Sequence, residues 1–257
     1  MKKYIVRNFF LYDLLVKISY IIKAEASWKI LFYNTKKDLD FNLKNLKEIN
    51  KSCNFSSKKI NDIFRYDFRY AIFDELKKFY NNNKIKILEI GTFKGDFTNY
   101  LAKNFENSEI ITIDLEKNDP RFIQTYGRSK KEIRKEFLNY RDNNLRLDNI
   151  KFIEMDSIHL MKFFQNDTFD IIWVDGYHLD PVVTKDLYNS LNLIKKNGFV
   201  VIDDVYKTDP PGTNCSIDSF VTLKRLNKEN GINYILLNKF VRPNNYEVRP
   251  YVAFFKK

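Results

Sequence analysis

Residues 85–96, reading IKILEIGTFKGD, constrain this chain more than any other stretch. A run of apolar β-formers ends at Glu89-Ile90, a glycine follows, and a helix begins near Gly95. Gly91 permits a tight turn with no Cβ in the way. Gly95 lets a ligand or the neighbouring strand come close to the first helical turn. Amides at a helix start point outward and favour negatively charged or carboxylate-bearing ligands. The stretch therefore predicts a nucleotide-like cofactor.

The pattern continues as alternating strands and helices from residue 84 onward. Strands are predicted at Lys84–Ile90, Glu109–Ile113, Ile150–Glu154, Phe169–Val174 and Phe199–Ile202. Helices are predicted over Gly95–Asn107, Lys130–Asn143, Ser157–Phe164, Pro181–Ile194 and Ile217–Asn227. Two β-rich pieces close the chain, Tyr234–Leu237 and Tyr251–Phe255. Such alternation implies an α/β fold with a mostly parallel sheet and helices on both faces.

Upstream, residues 1 to about 35 carry Leu11, Leu15, Ile18 and Ile22 on one helical face. That face suits either a homodimer contact or active-site cover, or packing on its own domain; the spacing is the same in each case. Phe64, Phe68, Ile72, Leu76 and Phe79 mark a second helix leading into the first strand. Residues 1–60 are read as a helical extension and 61–257 as the Rossmann-like domain.

The net charge is +11. It is dispersed rather than striped, so general lysine richness is the preferred account over an anionic partner. No RNA-binding module accompanies it, and a nucleic-acid partner is not expected. Two cysteines, Cys53 and Cys215, form no CxxC pair and suit a reducing cytoplasm. No apolar run approaches the ~20 residues needed to span a bilayer.

Each of the five predicted parallel strands ends in or just before an acidic residue: Glu89, Asp114, Asp156, Asp175 and Asp203-Asp204. In an open parallel sheet these ends share one edge, where ligands bind. A row of carboxylates there is costly unless it holds donors or cations. Asp114 follows Gly91 at the distance where an acidic side chain accepts from ribose hydroxyls. The turn is G-x-x-x-G, which lacks the second glycine of a nicotinamide pyrophosphate cradle.

The set ILEIGTFKGDFT, ITIDLE, MDS, FDIIWVDGYH and GFVVIDDV, over Ile85 to Val205, resembles the class I S-adenosylmethionine-dependent methyltransferases. The D-G-x-H and D-D pieces are similar to the macrocin-type sugar and catechol O-methyltransferase branch. The resemblance implies a seven-stranded sheet with an antiparallel last strand. It places Glu89, Gly91, Thr92, Phe93 and Gly95 along the methionine side of the cofactor. Asp114 with Leu115 would hold the ribose, Asp156 with Ser157 would contact the adenine, and Asp175 would border the methyl group. In that branch Asp175, Asp203 and Asp204 would bind Mg2+ or another divalent cation, as oxygen donors suit a hard ion. The other reading gives Asp175 to the cofactor, makes Asp203 a cap and leaves no metal.

His178, close after Asp175, is the candidate base for an acceptor hydroxyl; otherwise it orients its loop. His159 and Trp173 are read as structural. The basic segment Lys117–Asn149, with Arg121, Arg128, Lys130, Lys131, Arg134 and Lys135, is either a phosphate-gripping cover or a solvated helix face. The expected activity is methyl transfer to a hydroxyl of a small molecule, a sugar or nucleotide-linked sugar. The rivals are an RNA or protein methyltransferase and a non-catalytic binding protein of the same fold.

Overall fold

The computed structural model describes residues 68–209, 216–238 and 251–257. The expected helical extension, its dimer face and both cysteines lie outside them. The first described helix, α1 (Phe68–Tyr80), is the end of the one predicted from residue 61. It buries Ile72, Phe73 and Leu76. Phe79, expected on that face, is instead 40% exposed. Phe73 takes the inner place, edge-on to Phe97 and Trp173 at 5.2 and 5.7 Å between ring centres.

The strands are β1 (Lys86–Ile90), β2 (Glu109–Asp114), β3 (Ile150–Glu154), β4 (Phe169–Val174), β5 (Ile194–Val205), β6 (Tyr234–Asn238) and β7 (Tyr251–Lys256). They form one seven-stranded sheet in the order β3-β2-β1-β4-β5-β7-β6. β1 to β5 pair in parallel, and β7 runs antiparallel to both β5 and β6. The order reverses between β1 and β4, which sets a crevice above their carboxyl ends. This is the Rossmann-like arrangement the alternation predicts.

Strand alternation divides the core. Ile87, Ile110, Ile171, Trp173 and Val201 pack on one face with Phe73, and with Leu101 and Phe105 from α2 (Asp96–Asn104) and its end. Leu88, Ile111, Ile172, Val200 and Ile202 pack on the other. There they meet Leu187 of α6 (Val182–Leu193) and Leu223 and Leu226 of α7 (Asp218–Asn230). Burying one such side chain stabilises by about 1.5–3 kcal/mol, so these two layers fix the sheet that carries the site.

Two segments differ from expectation. Between β2 and β3 the chain forms α3 (Pro120–Gln124), which the sequence reading lacks, before α4 (Lys131–Asn144). Pro120 fits the first turn, and the Asp119 carboxylate accepts from the Arg121 amide at 2.8 Å. α5 (Leu160–Phe163) follows a short 3-10 turn at Ser157–His159.

The fifth strand is longer than predicted. Ile202 pairs with Ala253, and Val205 with Tyr251. Three steps along β5 thus match two along β7, leaving one extra residue at Asp203-Asp204. This is a β-bulge, with Asp204 at φ 46°. In a regular strand the two side chains would leave on opposite faces. The bulge re-aims them.

Candidate active site

The glycine turn is built against β4. Gly91 has φ +101°, and a Cβ there would stand 2.2 Å from the Asp175 carbonyl oxygen. The Gly91 and Thr92 amides both donate to the Ile113 carbonyl, at 2.9 and 3.2 Å. What approaches Gly91 is therefore the end of β4. Gly95, with φ +74°, faces Asn144 and Leu145 at the end of α4, within 3.1–3.2 Å of a built Cβ. The expectation of a ligand or strand at Gly95 gives way to a helix end.

Glu89 turns inward and is 1% exposed. It accepts from the Thr112 hydroxyl at 2.6 Å and from the Thr98 hydroxyl. Thr92 bonds the same Thr112 hydroxyl at 2.7 Å. Burial pushes the Glu89 carboxyl up to about 8, against the pull of Thr112 and Thr98. The side chains of Glu89 and Thr92 thus tie β1, β2 and α2 together instead of lining an open face. The Glu89 carboxyl binds its proton more tightly folded than unfolded, so ionisation destabilises the fold progressively from about pH 4.5 to 8. Glu89→Gln, which keeps the shape without the charge, should match wild type in Tm at pH 4 and exceed it by several degrees at pH 9. Parallel Tm curves across that range would refute the burial account.

Asp114 lies at the sheet edge. Its Oδ2 accepts from the Phe93 amide at 2.8 Å, and its Oδ1 from the Leu115 amide at 2.7 Å. Burial raises its pKa above the usual carboxylate range, while those two amide bonds oppose the rise. The Phe93 ring is partly exposed and lies 4.9 Å from the ring of Tyr126, which is 75% exposed. An anchored carboxylate acceptor beside two aromatic faces is an arrangement suited to a nucleoside.

Asp156 caps the 3-10 turn, accepting from the Ile158 amide at 3.1 Å. Its other oxygen pairs with Arg121 at 2.8 Å, and Arg121 also holds Asp119 at 2.7 Å. Arg121, a candidate phosphate ligand from sequence, is engaged by these two carboxylates. Arg128 is buried, its guanidinium 3.8 Å from the Phe122 ring centre and 4.6 Å from that of Phe137. Lys130, Lys131 and Lys135 are exposed. The basic segment is thus partly built into the fold and partly solvated.

The remaining candidates form a cluster. His178 Nε2 lies 3.6 Å from Asp175 Oδ1 and 3.9 Å from Asp204 Oδ2. Burial lowers the His178 pKa, but Asp175, Asp204 and Asp203 raise it by more, so the net shift is upward. Arg69, from the first turn of α1, reaches Asp203 Oδ2 at 3.2 Å and Asp175 Oδ2 at 3.6 Å. Asp203 is 1% exposed. Arg69 thus lies between Asp203 and Asp175, and His178 between Asp175 and Asp204. Among the described residues, no group of three or more His, Cys, Asp or Glu is arranged to hold a metal ion.

Residues 88–205 match the model of a family described as a methyltransferase domain. The described residues have the Rossmann-like methyltransferase fold. It is similar to the crystal structure of a candidate caffeoyl-CoA O-methyltransferase from Staphylococcus aureus, at 16% identity and TM-score 0.52, covering 88% of this chain and 98% of that one. A candidate O-methyltransferase from Klebsiella pneumoniae matches at 15% identity and TM-score 0.50, covering 85% and 89%. In sequence, a tRNA (guanine-N(7)-)-methyltransferase from Mycoplasma capricolum is 28% identical over 176 residues, 64% of this chain and 71% of that one.

Around this site, sequence reasoning missed two groups. Arg69 carries no strand-end signal. Asp186 of α6 is buried behind the Gly176 turn, its Oδ2 3.5 Å from where a Gly176 Cβ would stand. Burial pushes that carboxyl up to about 7. Its signal was the polar stripe Asp186, Asn189 and Ser190, at helical spacing and wholly buried. Trp173 is core, as its place inside β4 predicts, and His159 is exposed. Among the described residues, no helix is long and apolar enough to cross a membrane.

Proposed function

We propose that this chain transfers the methyl group of S-adenosylmethionine to a hydroxyl oxygen of a small molecule, a sugar or nucleotide-linked sugar. The observation that carries the reading is the cluster of His178, Asp175 and Asp204 beside the glycine turn. Asp114 holds the ribose and Asp156 with Ser157 lies toward the adenine; Phe93 and Leu115 flank them. The acceptor oxygen forms a bond to the methyl carbon as the carbon–sulfur bond breaks and its electron pair stays on sulfur. Sulfonium is a good leaving group, so placing the acceptor in line does most of the work. His178 takes the hydroxyl proton. With Nε2 turned to Asp175 and Asp204, Nδ1 is the nitrogen left for it, and the nearby carboxylates stabilise the imidazolium that results.

Two measurements test this. Titration calorimetry should show binding of S-adenosylhomocysteine, and no binding would remove the reading. A screen of sugars and sugar nucleotides should then find the acceptor. With that acceptor, His178→Ala should lower kcat by about 10²–10³ while cofactor affinity stays within a few-fold. An unchanged kcat would count against the base.

A second reading, methylation of RNA, is favoured by the similarity to the tRNA methyltransferase and by the +11 charge. Turnover on transfer RNA that collapses with moderate salt would support it over the small-molecule acceptor.

A further inference from the structure

The resemblance to metal-assisted methyltransferases asks for a divalent ion among Asp175, Asp203 and Asp204. The residues present do not fit one. Mg2+ takes oxygen ligands at about 2.0–2.1 Å in near-octahedral order. Here the facing oxygens of Asp203 and Asp175 are spanned by the Arg69 guanidinium, at 3.2 and 3.6 Å. Asp175 Oδ1 and Asp204 Oδ2 lie 3.6 and 3.9 Å from His178 Nε2. An ion bridging Asp175 and Asp203 would have to stand against a permanent positive charge.

The guanidinium also answers a need that exists without any ligand. Asp203 is almost wholly buried, and a buried carboxylate is strongly unfavourable unless paired and hydrogen-bonded. The bulge in β5 delivers Asp203 to Arg69 and Asp204 to His178, so one backbone irregularity sets both contacts. Arg69 comes from α1, outside residues 88–205, so the methyltransferase-domain match does not include it.

We propose that Arg69 is the resident cation of this carboxylate cluster and takes the place of the divalent metal. The cluster then needs no Mg2+, and an acceptor hydroxyl bound there meets a guanidinium donor. The last clause rests on the methyltransferase reading; the cation assignment rests on the geometry alone.

The test uses the full chain and Mn2+ as the probe, followed by thermal shift and by the paramagnetic resonance signal of free Mn2+. Wild type should show no change in Tm at millimolar Mn2+ and no loss of the free-ion signal. Arg69→Met exposes the carboxylates and should gain Mn2+ affinity by roughly tenfold or more, a difference of at least about 1.4 kcal/mol. Adding Asp203→Asn to that variant should abolish the gain. If Arg69→Met does not fold, Arg69→Gln, which keeps a donor for Asp203, is compared instead. Mn2+ binding by wild type that Asp203→Asn removes overturns the proposal, as does an arginine variant that gains none. Binding of S-adenosylhomocysteine in the same wild-type sample reports on the methyltransferase reading separately. Its absence overturns that reading and leaves the Mn2+ comparison standing.

Discussion

Gly91→Ala should be among the most damaging single substitutions in this chain. The new Cβ would meet the Asp175 carbonyl oxygen at 2.2 Å and the carbonyl carbon at 2.7 Å. Both atoms belong to the backbone at the end of β4 and cannot rotate away. The residue must also hold φ +101°, which an L side chain rarely adopts. Strain and clash together should cost about 3–5 kcal/mol, seen as a fall in Tm on the order of 10 °C. Gly231→Ala is the internal control. Gly231 has φ +68°, but nothing lies within 4 Å of its built Cβ, so that change should cost only about 1 kcal/mol. Equal losses at the two positions would show that the contact with Asp175 is unimportant. The Gly91 variant should also weaken cofactor binding, because the displaced turn carries Phe93, whose amide anchors Asp114.

Asp114→Ala should weaken S-adenosylhomocysteine binding by about 100-fold. Two hydrogen bonds from ribose hydroxyls to a charged acceptor are worth about 1.5–3 kcal/mol each, less the water that replaces them. Asp114 is also the acceptor for the Phe93 and Leu115 amides. Its loss should therefore loosen the glycine turn and lower Tm modestly. Asp114→Asn separates the two effects, since it keeps the shape and one acceptor oxygen but not the charge. The raised pKa adds a pH signature. Affinity should begin to fall at a higher pH, as the solution is acidified, than it would for an ordinary aspartate. An unchanged Kd in Asp114→Ala would end the ribose assignment.

The parallel strands were legible because each buried run is short, apolar and bounded by polar or glycine residues. β1 to β4 begin and end within about two residues of the reading. β5 was not, because its first residues, Ile194 to Asn197, carry two lysines and an asparagine and resemble a loop. Register shifts at both of its pairings are a matter of hydrogen-bond count, which residue type does not encode. The row of strand-end carboxylates was visible, but the role of each was not. Glu89 is a strand-end acid like the others in sequence, but in the fold its partner in register, Thr112, and Thr98 of α2 both donate to it. Those threonines, polar among apolar neighbours, were the available signal. Arg69 had none. It lies 134 positions from Asp203, and the rule that finds sites at strand ends is silent about a helix that crosses them from elsewhere.

β7 is the latest strand in sequence, yet it sits inside the sheet, between β5 and β6. β6 pairs only with β7 among the strands described. Without Tyr251–Lys256, then, β6 has no strand partner among those described, and this edge of β5 is bare. That edge is a run of Phe199 to Val205, apolar apart from the acidic pair, of the kind that invites pairing with other chains. Pairing with β7 creates the bulge, since an extra residue in β5 has meaning only against a partner. A chain lacking β7 can hold its glycine turn and Asp114 in place. It cannot aim Asp203 at Arg69 and Asp204 at His178, so that cluster is completed only when β7 docks.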